Sequence, residues 1–137
     1  MELYTDPINI KESFAYSREL MSHQIEAIES LNKYFNLSGK KNVQQNGLLV
    51  MPTGSGKTFT AVNWLLNSGV AYGYRILWLA HRQELIDQTN NEFRNQAPSL
   101  AKHGINKLRI IPISGMHLKM SQASRYDINI CSISSVA

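Results

Sequence analysis

The chain has 137 residues, room for one domain or part of one, and its 43% apolar and 18% charged residues exclude a disordered tail. No run approaches the roughly 20 apolar residues that a bilayer crossing needs, so no membrane partner is expected. The single cysteine, Cys131, excludes an intramolecular disulfide and a cysteine-only metal cage.

The start of the chain carries Glu2 and Asp6 and lacks the apolar core of a secretory signal. With one cysteine, this leads us to expect a cytoplasmic setting. The net charge of +4 is uneven: residues 1–70 hold six Lys/Arg and six Asp/Glu, whereas residues 71–137 hold eight against four. From Phe93 to Tyr126 there are six Lys/Arg, two histidines and no acid. Such a stretch attracts polyanions through counterion release, although on charge alone a solvated basic surface is the simpler reading.

Residues 1–17 read as an extended lead-in containing Pro7, and residues 18–137 as the folded part. From Ser22, the apolar residues Ile25, Ile28, Leu31 and Phe35 recur at helical spacing, with Gly39 as a stop signal. The continuous apolar run Gly47-Leu48-Leu49-Val50-Met51 predicts a strand buried on both faces. A helix follows from about Lys57, with Ala61, Val62, Leu65 and Leu66 on one face and Gly69 near its end. A second buried strand is expected at Ile76–Ala80, then a helix over about Gln83–Asn95 with Leu85, Ile86, Thr89 and Phe93 inward. Two apolar runs, Leu108–Ile113 and Ile128–Ile133, come after Pro98. Trp64 and Trp78 sit among buried neighbours and read as core. Strands alternating with helices predict an α/β fold with a parallel sheet.

The stretch Met51-Pro52-Thr53-Gly54-Ser55-Gly56-Lys57-Thr58 lies between a predicted strand and a predicted helix, the context of a phosphate-binding loop. Main-chain N–H groups there must turn inward to form an anion nest, and Gly54 and Gly56 allow the required backbone angles. The helix that follows aims its positive end at the same anion. Lys57 would reach the terminal phosphates, and Thr58 would join the shell of a bound Mg2+. Gly-x-Gly-Lys-Thr/Ser arises by chance in roughly one chain in two hundred of this length. Met51 stands where the general pattern opens with glycine.

Pro52 to Thr58 resembles motif I of superfamily 2 helicases, where a methionine in the first position is also familiar. Ile76-Leu77-Trp78-Leu79-Ala80-His81-Arg82-Gln83-Glu84-Leu85-Ile86-Asp87-Gln88 resembles motif Ia of the same group. Within it, the similarity is to the branch of DEAD/DEAH-like helicases that contains the motor subunits of type I and type III restriction enzymes. Leu20 to Ile28 is similar to that branch's adenine-recognising glutamine segment, and Ile128 to Ser135 to its strand-and-turn against the nucleic-acid backbone. All four segments occur in family order.

The resemblance implies a P-loop NTPase with a RecA-like parallel sheet flanked by helices, part of the first of two motor domains. It implies ATP and Mg2+ as cofactors, with Gln24 on the adenine edge and Thr53, Gly54, Ser55, Gly56, Lys57 and Thr58 on phosphates and metal. His81, Arg82, Gln88, Ser132 and Ser134 would meet a nucleic-acid backbone, DNA rather than RNA. Met21 and Ser134 depart from the branch, which often has arginine and glutamine there.

Hydrolysis also needs carboxylates, which the family places in an apolar strand ending in Asp-Glu. The aspartates here are Asp6, Asp87 and Asp127, none of which follows an apolar run. The resemblance therefore implies a partial motor domain whose partner is the remainder of its own chain, including a second RecA-like domain. We expect these 137 residues alone to leave apolar faces uncovered, to be marginally stable or self-associating, and to bind ATP weakly with negligible turnover. The competing readings are a non-catalytic P-loop interaction module and a small-molecule kinase; the second leaves the motif Ia string without a role.

Overall fold

In the computed structural model, the described residues are 7–10, 19–37, 39, 46–52, 54, 56–113 and 126–132. At the centre lies a three-stranded parallel sheet of β2 (Ile76–Ala80), β5 (Ile128–Ser132) and β4 (Ile110–Ile113), in the order β2-β5-β4. Ile128 pairs with both Ile76 and Ile110, and Ser132 pairs with Ala80. Side chains alternate between the faces of a sheet, so Ile76, Trp78, Ala80, Ile128, Ile130 and Ile110 share one face. There they pack in a single cluster with Val62, Leu66, Ile86 and Phe93 from the helices. Phe93 is fully buried and meets Trp78 edge-on at 5.7 Å between ring centroids.

Helix α3 (Gln83–Gln96) forms because Ile86, Thr89, Phe93 and Gln96 recur on one face, and all four are buried. Glu84 in its first turn and Arg94 in its last complement the helix dipole. Leu85, expected inward, is 37% exposed, because it falls just outside the stripe that meets the sheet. The fully buried Gln96 is satisfied by neighbours: its Nε2 donates to the Phe59 carbonyl and to Glu92 Oε1, both at 3.1 Å, and its Oε1 accepts from Asn63 Nδ2. This amide ties α3 to α2 (Lys57–Trp64). Helix α2 continues as a π segment over Leu65–Gly69 and a 3-10 turn over Val70–Tyr72, stopping at Gly73. Val62 and Leu66 are fully buried, and Trp64 is core as expected.

Several expectations are corrected. Helix α1 (Ser22–Phe35) ends at Asn36, which takes the left-handed angle (φ 48°) and donates its N–H to the Asn32 carbonyl; Gly39 is not the stop. Its apolar stripe is only half covered, since α1 packs on α2 rather than on the sheet, and Ile25 stays 43% exposed. The run Gly47–Met51 takes no regular secondary structure and pairs with no strand among the described residues; Leu48 is 89% and Val50 78% exposed, and only Met51 is buried. A strand is stable only when a neighbour takes up its N–H and C=O groups. Strand β2 is likewise covered on one face only, leaving Leu77 and Leu79 exposed. The apolar run at 108–113 is split: Lys107–Leu108 (β3) pairs antiparallel with Ile8–Asn9 (β1), while Ile110 onward joins the main sheet. The lead-in thus contributes to the fold, and Ile10 beside it is buried.

Cys131 lies on the sheet face opposite Ile130 and is fully buried with Ile111, against Tyr126. Burial pushes its thiol pKa up, so it is a poor nucleophile in the folded chain. In the folded protein, Cys131 should react with an aromatic disulfide reagent at least about tenfold more slowly than in denaturant; equal rates would contradict this packing.

Candidate functional site

The loop before α2 is shaped by its glycines. Gly54 and Gly56 have φ of 79° and 81°, in the left-handed region that a side chain disfavours. A Cβ on Gly54 would meet nothing within 4 Å, so the space beside it is open. Gly56 is held from two sides. On one, its carbonyl accepts from Thr60 N–H (2.9 Å) and from Thr60 Oγ1 (2.8 Å). On the other, the Gln24 side chain lies so close that a Cβ on Gly56 would sit 2.5 Å from its Nε2.

Gln24 is 2% exposed, and its Oε1 accepts from the Met21 N–H at 2.9 Å, closing the first turn of α1. Lys57 and Thr58 are the first two residues of α2, and both are exposed. Two side chains that face solvent thus stand at the positive end of a helix, just after two glycines with left-handed backbone angles. This arrangement suits a di- or triphosphate. It also fits Mg2+: the Thr58 hydroxyl is exposed at the start of the helix, and phosphate oxygens and waters would make up the rest of the shell. Among the described residues no cluster of three His, Cys, Asp or Glu could hold a metal by itself.

A second group of residues gathers at the carboxyl ends of β2 and β5, the edge where open parallel sheets commonly bind ligands. The pairing of Ala80 with Ser132 places Ser132 next to the bend that carries His81 and Arg82. His81, Arg82 and Gln88 are exposed, and Arg82 is the extended residue that opens α3. Thr53, Ser55 and Ser134 lie outside the described residues. Sequence reasoning missed two members of this region. Thr60 was visible as a hydroxyl four residues after the loop glycine, the spacing at which a helical threonine bonds back to a carbonyl. The tie that the buried amide of Gln96 makes to α2 left no signal, because its partners there are 33 and 37 residues away.

The parallel sheet, its flanking helices and the glycine loop opening α2 define a P-loop α/β protein of the NTPase class. Residues 17–137 match the family described as "Type III restriction enzyme, res subunit". The chain belongs to that family of superfamily 2 restriction-enzyme motors, which are ATP-dependent helicases or translocases. It is also 37% identical over 99 residues to the "Type I restriction enzyme EcoAI endonuclease subunit" of Escherichia coli, an alignment covering 70% of this chain and 12% of that protein. The chain therefore spans about an eighth of the length of that relative. No solved structure matches it. No helix among the described residues is long and apolar enough to cross a membrane.

Proposed function

We propose that this chain is the ATP-binding part of the first motor domain of a DNA translocase or helicase serving a restriction enzyme. The observation that carries the reading is the pair of left-handed glycines opening α2 with Lys57 and Thr58 exposed beside them. In this reading, residues 53–56 wrap the phosphates with main-chain N–H groups, and Lys57 neutralises the terminal phosphates. Thr58 holds Mg2+, which supplies positive charge against the phosphate oxygens. His81, Arg82, Gln88, Ser132 and Ser134 lie against the sugar-phosphate backbone of DNA. Gln24 belongs to the nucleotide side of the site. The two groups are joined through Gln96, which bonds the Phe59 carbonyl two residues after Lys57 and sits on the helix that Arg82 opens.

The test is ATP hydrolysis by the full-length protein with and without duplex DNA. DNA-stimulated turnover is expected, and turnover indifferent to DNA would remove the motor reading. Backbone contacts also set the salt response, because each neutralised phosphate releases a counterion. Arg82, the Lys/Arg cation of that group, accounts for about one such contact, which predicts a loss of DNA affinity of roughly 3- to 4-fold between about 50 and 200 mM salt, with little dependence on base sequence. Fluorescence anisotropy of a labelled duplex across that range measures it; a flat response would show that these residues do not face DNA.

A further inference from the structure

We infer that Gln96 is a positioning residue through which DNA regulates the nucleotide site: it locks α3, which Arg82 opens, in one register against α2, which Lys57 opens. This regulation rests on the motor reading proposed above. Helices α2 and α3, with the segments that continue them, pack through Val62, Leu66, Phe93, Ala97 and Leu100, all buried in one cluster. Apolar contact is non-directional, so by itself it lets one helix slide or roll on the other. Hydrogen bonds do not.

Three polar rungs cross the same seam. In the first, Gln96 donates to the Phe59 carbonyl and accepts from Asn63 Nδ2 at 3.2 Å, while Glu92 braces it from its own helix. In the other two, Asn67 Nδ2 donates to Ser99 Oγ at 3.3 Å, and Asn67 Oδ1 meets His103 Nε2 at 3.0 Å. Residues 59, 63 and 67 thus face 96, 99 and 103 in matching order. Among the side chains that form these rungs only Gln96 is wholly buried; Asn63, Asn67 and Ser99 are half-buried and His103 is exposed. Water can replace the outer bonds, but a slip of register would strand the Gln96 amide without partners, which is far more costly. The Phe59 carbonyl belongs to the first turn of α2, two residues after Lys57. A displacement of α3 at Arg82 is therefore delivered beside the phosphate site. Without the amide, α3 can yield to DNA while α2 stays in place.

The experiment uses the full-length protein and reads how far DNA changes nucleotide affinity. A non-hydrolysable imido analogue of ATP is titrated calorimetrically in magnesium buffer, with and without a saturating short duplex. In the unsubstituted protein the two affinities should differ at least about fivefold, and DNA affinity with and without the analogue should differ by the same factor, as linkage requires. Gln96→Met fills a similar volume without the amide, and in it the factor should fall below about twofold. Asn63→Ala removes one bond at a half-buried position and should give an intermediate factor. A Gln96→Met protein that binds each ligand more weakly but keeps the full factor would overturn the inference, leaving the amide a stabilising contact only. Where Gln96→Met no longer melts cooperatively, an undiminished factor in Asn63→Ala overturns it equally. An unsubstituted protein whose nucleotide affinity ignores DNA would overturn it while leaving the nucleotide site in place. One that binds neither ligand would instead strike the motor reading.

Discussion

Replacing Lys57 with alanine should lower DNA-stimulated ATP hydrolysis by the full-length protein at least about a hundredfold, with the fold unchanged. Lys57 is exposed at the first position of α2, so its removal breaks no core packing and should alter stability by no more than about 0.5 kcal/mol. At the proposed site its ammonium lies against terminal phosphate oxygens, where charge shifts as the phosphoryl group departs. Losing one such preorganised donor costs about 2.7–4 kcal/mol in the transition state, which is roughly a hundredfold to a thousandfold in rate. Phosphate release and thermal melting, measured on the same preparation, separate the two effects. Turnover within tenfold of the unsubstituted protein would show that the loop holds no substrate phosphate.

The second large effect concerns association. Expressed by themselves, these 137 residues should form oligomers, and Leu48→Glu combined with Val50→Glu should reverse this. Leu48 and Val50 are 89% and 78% exposed on a segment that pairs with no strand among the described residues, and Leu77 and Leu79 on β2 are 55% and 47% exposed. Among the described residues, strand β2 is also an outer strand of its sheet, with no strand paired along its other edge. Apolar side chains next to unpaired strand edges are templates for pairing with another copy. Burying a leucine or valine contributes about 1.5–3 kcal/mol, so removing both should weaken association by roughly two to four powers of ten. Light scattering over a concentration series reads this directly. A monodisperse monomer before substitution would show that these side chains are harmless in solution.

The parts of the fold legible in the sequence were those encoded by short-range pattern. Helix α3 announced itself through Ile86, Thr89 and Phe93, and β2 and β5 through compact apolar runs. The phosphate loop was carried by glycine spacing, and the structure gives both glycines the left-handed angles that this spacing implies. What stayed hidden depended on distant partners. An apolar run such as Leu48–Val50 tells that a segment could be a strand, but not whether a neighbour is present to pair with it. The exposure of Ile25 and Leu85 has the same origin, for periodicity marks a stripe without marking how much of it another element covers. Gln24 is the instructive case. Its place in the chain gave no sign that the side chain is buried, and only the packing of α1 against the loop showed it lying beside Gly56.

The strand order has a consequence for how the protein is made. Strand β5 lies between β2 and β4 yet is the last of the three in the chain. Neither earlier strand can join the sheet until β5 has been synthesised. At about 5–20 residues per second, the ribosome needs roughly 2–10 s to travel from Ala80 to Ile128. Throughout that interval the nascent polypeptide carries β2 with every backbone amide awaiting a mate, which makes it a natural client for a chaperone that recognises short aliphatic segments.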